Sequence, residues 1–121
     1  HMSQQQDIPH PVELSNMGYL AHQMLSDSLT AFSGSNVGLA HKVAEMDNKM
    51  DRLYAEVFTT IIEHLANHRS PEKIEATYEV LRTARELERF GDLATNLAER
   101  VVYMVTGNLQ EMNVEADPVA V

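Results

Sequence analysis

Apolar residues along this chain return at three- and four-residue steps in three separate runs, and each run predicts an amphipathic helix. From Val12 to Phe32 the stripe is Leu14, Met17, Ala21, Met24, Leu25, Leu29 and Phe32. The turn formers Ser33-Gly34-Ser35-Asn36 interrupt it, and Ser35 or Asn36 is suited to cap the helix that follows. The second run, Val37 to Asn67, carries Leu39, Val43, Met46, Met50, Leu53 and Val57 on one seam, continued by Thr60 and His64. A flanking seam reads Ala40, Ala44, Asp47, Asp51, Tyr54, Phe58, Ile61 and Leu65. Two aspartates therefore sit where their neighbours predict burial and their charge resists it. Ser70-Pro71-Glu72 opens the third run. Ser caps, Pro is pre-set for the first helical position, and an acid suits the positive end of the helix dipole. The seam Ala76, Val80, Thr83, Leu87, Phe90, Ala94, Leu97, Val101 and Met104 predicts a helix ending at Thr106-Gly107, with Gly as the C-terminal cap. Gly91 lies inside this helix, where Gly costs about 1 kcal/mol relative to Ala. Close helix approach or room for a bound group is the expected compensation.

Three helices with short connections must run up, down and up and bury their seams against one another. The expected fold is all-α, an antiparallel three-helix bundle. Its domain is expected over residues 12–108, after a tag remnant and linker at 1–11 that includes His1-Met2 and Ser3-Gln4-Gln5-Gln6. The tail, 109–121, is expected to be partly disordered, since it combines a Pro and several acids with no periodicity.

The acids change this picture. A helix turns roughly 100° per residue, which puts Glu88, Asp92 and Glu99 within about 40° of one another on one stripe. Asp47 and Asp51 repeat the four-residue spacing on the preceding helix. Like charges one turn apart cost on the order of 0.2 to 0.5 kcal/mol unless compensated. The midpoints of helices two and three, near Asp51 and Glu88, fall at similar heights if the helices are antiparallel neighbours, so the two pairs can converge. A cation bridging them removes the repulsion, and hard metal ions favour such oxygen clusters. The competing account is a wet surface on which Arg85 and Arg89 form salt bridges with Glu88 or Asp92. Spacing alone leaves both open.

Composition narrows the partners. With 121 residues the chain is expected to form one domain around a single core. Eighteen acidic residues against nine basic ones give a formal charge of −9, which repels phosphate backbones and argues against nucleic acid. Lys and Arg form no basic run, so nothing supports attraction to anionic membranes, and no segment approaches the roughly 20 apolar residues of a bilayer span. The absence of Cys suits a reducing compartment.

His64-x-x-x-His68 has a spacing used by zinc sites but needs two further ligands, and cationic His at a helix end complements the dipole, so a structural role is favoured. Ferritin-like di-iron chemistry requires Glu-x-x-His pairs. Instead Tyr19, Gly38, Ile61 and Leu65 stand three positions before His22, His41, His64 and His68. No Ser and His constellation suggests a nucleophile. The seven Met residues, among them Met17, Met24, Met46 and Met50, are read mainly as core filling, with an adaptable partner surface as the alternative.

The segment Leu87-Glu-Arg-Phe-Gly-Asp92-Leu-Ala-Thr-Asn96-Leu-Ala-Glu99, followed by Val-Val-Tyr103-Met-Val-Thr-Gly107, resembles the signature of PhoU proteins, regulators of bacterial phosphate uptake and signalling. Asp47-x-x-x-Asp51-Arg-Leu-Tyr54 resembles the companion motif on the preceding helix. The resemblance covers residues 12–108. Family members typically hold two three-helix repeats in tandem, and Ser70-Pro71-Glu72 together with Tyr-Met-Val-Thr-Gly looks like the second of them. The resemblance implies a metal site formed by Asp47, Asp51, Glu88 and Asp92, with Asn96 and Glu99 as further members. Iron or zinc is the implied metal, with manganese or magnesium as alternatives. Many second repeats have His where Leu93 stands here and Asp where Asn36 stands, which bears on cluster nuclearity and affinity.

By resemblance the chain is expected to be a cytoplasmic negative regulator of phosphate uptake and phosphate-starvation signalling, and not an enzyme. The implied partners are the ATPase subunit of a phosphate ABC transporter and a phosphate-sensing histidine kinase, through which it takes a peripheral position at the inner membrane. A homodimer is expected. The alternatives are a metal-free helical oligomerisation module, or a regulatory domain of a larger transporter or channel.

Overall fold

A computed structural model describes the backbone of residues 11–116 and the side chains of residues 11–107. Three helices follow in order: α1, Val12–Gly34; α2, Val37–Asn67; and α3, Pro71–Ala116. Among the described residues there is no strand, and no helix is long and apolar enough to cross a membrane. Residues 1–10 of the expected linker, 1–11, and the last residues of the expected tail, 117–121, lie outside the described residues.

Short-range chemistry sets the helix ends. Ser35 takes the left-handed conformation, φ 50° and ψ 41°, and the Asn36 N–H then donates to the Ala31 carbonyl at 2.9 Å, closing the last turn of α1. Asn36 also opens α2, its side-chain oxygen accepting from the Leu39 N–H at 3.0 Å. One residue thus finishes one helix and starts the next, which keeps the connection short. Ser70 accepts from the Lys73 N–H at 3.3 Å and opens α3 as its sequence suggests.

Every helix packs against both others. Met17, Met24 and Met50 are fully buried at the centre, with Val43, Val57, Ile61 and Val101 around them. Most of these methionines therefore fill core, as their seam positions suggest, whereas Met104 is exposed.

Two expectations for α3 are corrected. Its buried residues among those described are Thr77, Val80, Ala84, Gly91, Ala94, Ala98 and Val101, while Thr83, Phe90 and Met104, placed on the seam by periodicity, are exposed. The true seam repeats every seven residues through Thr77, Ala84, Gly91 and Ala98. Small residues face inward because long methionines from α1 and α2 already occupy the middle. A Cβ on Gly91 would stand 3.4 Å from both Met24 Sδ and Met50 Cε. The helix also runs on to Ala116 instead of stopping at Thr106-Gly107. Gly107 does not adopt positive φ, so no left-handed cap forms, and the Thr106 hydroxyl donates to the Val102 carbonyl at 2.7 Å within the continuing helix. One interior Gly costs about 1 kcal/mol, too little to stop a helix followed by good helix formers such as Leu109, Gln110 and Glu111.

Candidate metal centre

Asp47 and Asp51 lie one turn apart on α2, and Glu88 and Asp92 one turn apart on α3. The helices bring them together in crossed pairs. Asp47 reaches hydrogen-bonding range of Asp92, and Asp51 reaches that of Glu88. Each pair joins a half-buried acid, Asp47 or Glu88, to an exposed one.

The electrostatics follow from that placement. Burial pushes the Asp47 carboxyl above its ordinary range, and the charges of Asp51 and Asp92 push it further. Burial likewise raises Glu88, with Asp51 the strongest charge upon it and Asp92 and Asp47 adding to the effect. These four groups therefore share one field. Asp47 Oδ1 is buried with no hydrogen-bond partner. Such an orphaned acceptor costs on the order of 1 to 3 kcal/mol, more for a charged group, unless something meets it.

The salt-bridge account of the acids fails on α3. Arg89 pairs with Glu86 at 3.9 Å and Arg82 with Glu79 at 2.8 Å, both on exposed surface. Among the described residues no arginine, Arg85 included, forms an ion pair with any of the four carboxylates. Thr95 was not among the candidates from sequence, yet its side chain lies beside Asp47. It also donates to the Gly91 carbonyl at 3.0 Å. Its only sequence signal is its place one turn beyond Asp92 on the acid stripe.

Asn96 and Glu99 are exposed and, with Arg100, Tyr103 and Met104, line a surface hollow of about 780 Å³. His64 and His68 stack at the end of α2 with ring centroids 4.3 Å apart and planes at 15°, and His68 Nδ1 lies 3.1 Å from the His64 carbonyl. Rings stacked in this way do not converge on one point.

The donor set suits a hard or borderline cation: four carboxylates from two helices, one oxygen without a partner, and no arginine to neutralise them. Among the described residues no three His, Asp or Glu side chains already stand in the arrangement of a bound ion. The acids meet as facing pairs, not as a finished coordination shell.

A family model described as the PhoU domain matches residues 14–101. The chain belongs to the PhoU family. Among curated relatives, a phosphate-specific transport system accessory protein PhoU homolog of Clostridium acetobutylicum is 32% identical over 101 residues, 84% of this chain and 45% of that protein. The homolog of the same description from Pseudomonas putida is 32% identical over 116 residues, 91% of this chain and 44% of its own length. That of Pseudomonas aeruginosa is 32% identical over 96 residues, 79% of this chain and 39% of its own. The match thus spans less than half the length of these PhoU relatives. No solved structure matches the chain.

Proposed function

We propose that this PhoU-family domain is a regulatory accessory module of phosphate-specific transport that holds metal ions between α2 and α3. The reading is carried by the gathering of Asp47, Asp51, Glu88 and Asp92 in one field, with Asp47 Oδ1 lacking a partner. Family membership and the accessory role named for the relatives support the rest. The two crossed pairs also fit helices running up, down and up: as α2 advances from 47 to 51, its partners on α3 fall from 92 to 88.

In this reading the four carboxylates are the ligands, and Asn96 and Glu99 extend the site outward. Iron or zinc is the resident metal, with manganese or magnesium as substitutes suited to oxygen donors. Bound metal supplies positive charge against four mutually repelling acids and ties α2 to α3. The domain is not an enzyme. It acts in the cytoplasm as a homodimer, restraining phosphate uptake and the starvation response through the transporter's ATPase subunit and the phosphate-sensing kinase, which hold it beside the inner membrane.

Metal content tests the site directly. Elemental analysis of the chain after incubation with iron or zinc and gel filtration should find bound metal, and the Asp51→Asn, Asp92→Asn double variant should lose it with helicity unchanged. Equal metal in both proteins, or none in either, leaves a metal-free helical module in place of this reading. For the regulatory role, a full-length two-repeat relative should recover the transporter ATPase or the kinase in a pull-down; recovery of neither counts against it.

A further inference from the structure

Helix α3 carries four threonines whose hydroxyls donate to the carbonyl one turn back: Thr77 to Lys73 at 2.6 Å, Thr83 to Glu79 at 2.9 Å, Thr95 to Gly91 at 3.0 Å and Thr106 to Val102 at 2.7 Å. Such a bond is ordinary for a helical Thr, and branching at Cβ leaves the hydroxyl few positions to choose from. What sets Thr95 apart is Asp47. Thr95 is half-buried one turn beyond Asp92, and its side chain lies beside the Asp47 carboxyl of α2. The other polar groups that bear on Asp47 are Asp51 and Asp92, which as carboxylates can only accept. Among the described residues no ion pair holds Asp47, and its Oδ1 is buried with no hydrogen-bond partner.

We infer that Thr95 is a positioning residue of the metal site, setting the orientation of the Asp47 carboxylate through its hydroxyl. The inference rests on the metal site proposed above and adds a residue outside its ligand set. A carboxylate that ligates through one oxygen is aimed by the hydrogen bond its other oxygen receives, and loss of such a partner lowers metal affinity about 10- to 100-fold. Thr95 brings the hydrogen that Asp51 and Asp92 lack when ionised. That hydrogen has two acceptors within reach, the Gly91 carbonyl and Asp47. Within the helix the Gly91 carbonyl also receives the backbone N–H of residue 95, so turning the hydroxyl away leaves no backbone group unpaired. An ionised Asp47 is the stronger acceptor of the two, because hydrogen bonds to a charged group are about twice as strong as neutral ones. α3 thus supplies one ligand, Asp92, and aims a second that comes from α2.

Competition between the 121-residue chain and a chromophoric chelator, for zinc and for ferrous iron, tests this. Thr95→Val keeps the side chain's shape and loses the hydroxyl, whereas Thr95→Ser keeps the hydroxyl and loses the methyl group. Thr95→Val should bind metal about 10- to 100-fold more weakly than the wild type, and Thr95→Ser should restore the wild-type affinity. Thr95→Ala, a second change without the hydroxyl and one that favours the helix, should show the same loss as Thr95→Val. Thr83→Val removes the same local bond on the exposed side of α3 and should leave the affinity unchanged. Circular dichroism in EDTA should give all five proteins the same helical content. Equal affinity in the wild type and both hydroxyl-free variants overturns the inference and leaves the metal site standing. So does a Thr95→Ser variant as weak as Thr95→Val, which assigns the effect to the methyl group. A wild-type chain that takes up neither zinc nor iron overturns both.

Discussion

Between Glu88 and Leu97, α3 shows two unlike faces within three turns. Toward α2 it presents Glu88, Asp92 and Thr95; away from them it exposes Phe90 and Leu93. Gly91 and Ala94 separate the two as the buried strip between. The acid face has its partners inside the chain yet is electrostatically unfinished, since burial and the neighbouring carboxylates raise the proton affinity of Asp47 and Glu88. The apolar side chains Phe90 and Leu93 carry no charge and are exposed among the described residues. The imbalance differs: like charges crowd one another in one case, and apolar side chains meet solvent in the other.

The strip holding the faces apart is the most sensitive place to intervene. Met50 is fully buried beneath Gly91, so Met50→Ala should cost about 2 to 5 kcal/mol by urea unfolding, the range for large-to-small core changes. A smaller loss means that α2 and α3 close the gap. The acid face comes next. Zinc or iron at about a hundredfold excess over its dissociation constant should stabilise the chain by about 2.7 kcal/mol, and the Asp51→Asn, Asp92→Asn variant should show no such gain. Identical thermal midpoints with metal and with chelator would reduce the acid face to an ordinary surface.

Proton linkage gives a metal-free view of the same face. Folding raises the proton affinity of Asp47 and Glu88, so the folded chain binds more protons than the unfolded one just above the ordinary carboxylate range. Their contribution favours folding at low pH and is lost as pH rises through the raised values. In chelator, the wild-type midpoint should therefore fall between mildly acidic and neutral pH relative to that of Asp47→Asn, in which the main half-buried charge is gone. Parallel curves for the two proteins mean that the acids do not share a field.

The smallest effects discriminate most finely. Gly91→Ala should change stability by less than about 1 kcal/mol, because the helix-propensity gain offsets a 3.4 Å contact with flexible methionine ends. Leu93→Glu should stay within about 0.5 kcal/mol for the fold itself when measured on the monomer, as expected of an exposed site. The same change one residue on, at buried Ala94, should be far more damaging. Similar losses at 93 and 94 would mean that the apolar face is part of the core.

Several of these features were legible before any coordinates. Asn36 and Ser70 announced their helices through side chains able to accept from the third residue onward, and the bounds of α2 followed from its periodicity. The acid pairs were legible because a four-residue step fixes a shared helix face. The α3 seam was not. Periodicity gives the existence of a stripe, but choosing between Phe90 and Gly91 as the inward residue depends on what fills the middle, and methionines from the other two helices decided that. Thr95 and the pairing of Arg89 with Glu86 were hidden for a related reason, since several partners lay within reach of each side chain.

The amino-acid order by itself determined three helices, two of their caps, the four-residue spacing of the acids and the family motif, because all of these depend on local geometry and neighbouring residues. Only the tertiary structure decided that Asp47 meets Asp92 and Asp51 meets Glu88, and that α3 turns its small residues inward. Those outcomes depend on fitting volumes from three helices into one core: long methionines claim the centre, Gly91 and its alanines yield to them, and the resulting rotation of α3 brings its acids to α2 and leaves Phe90 and Leu93 outside.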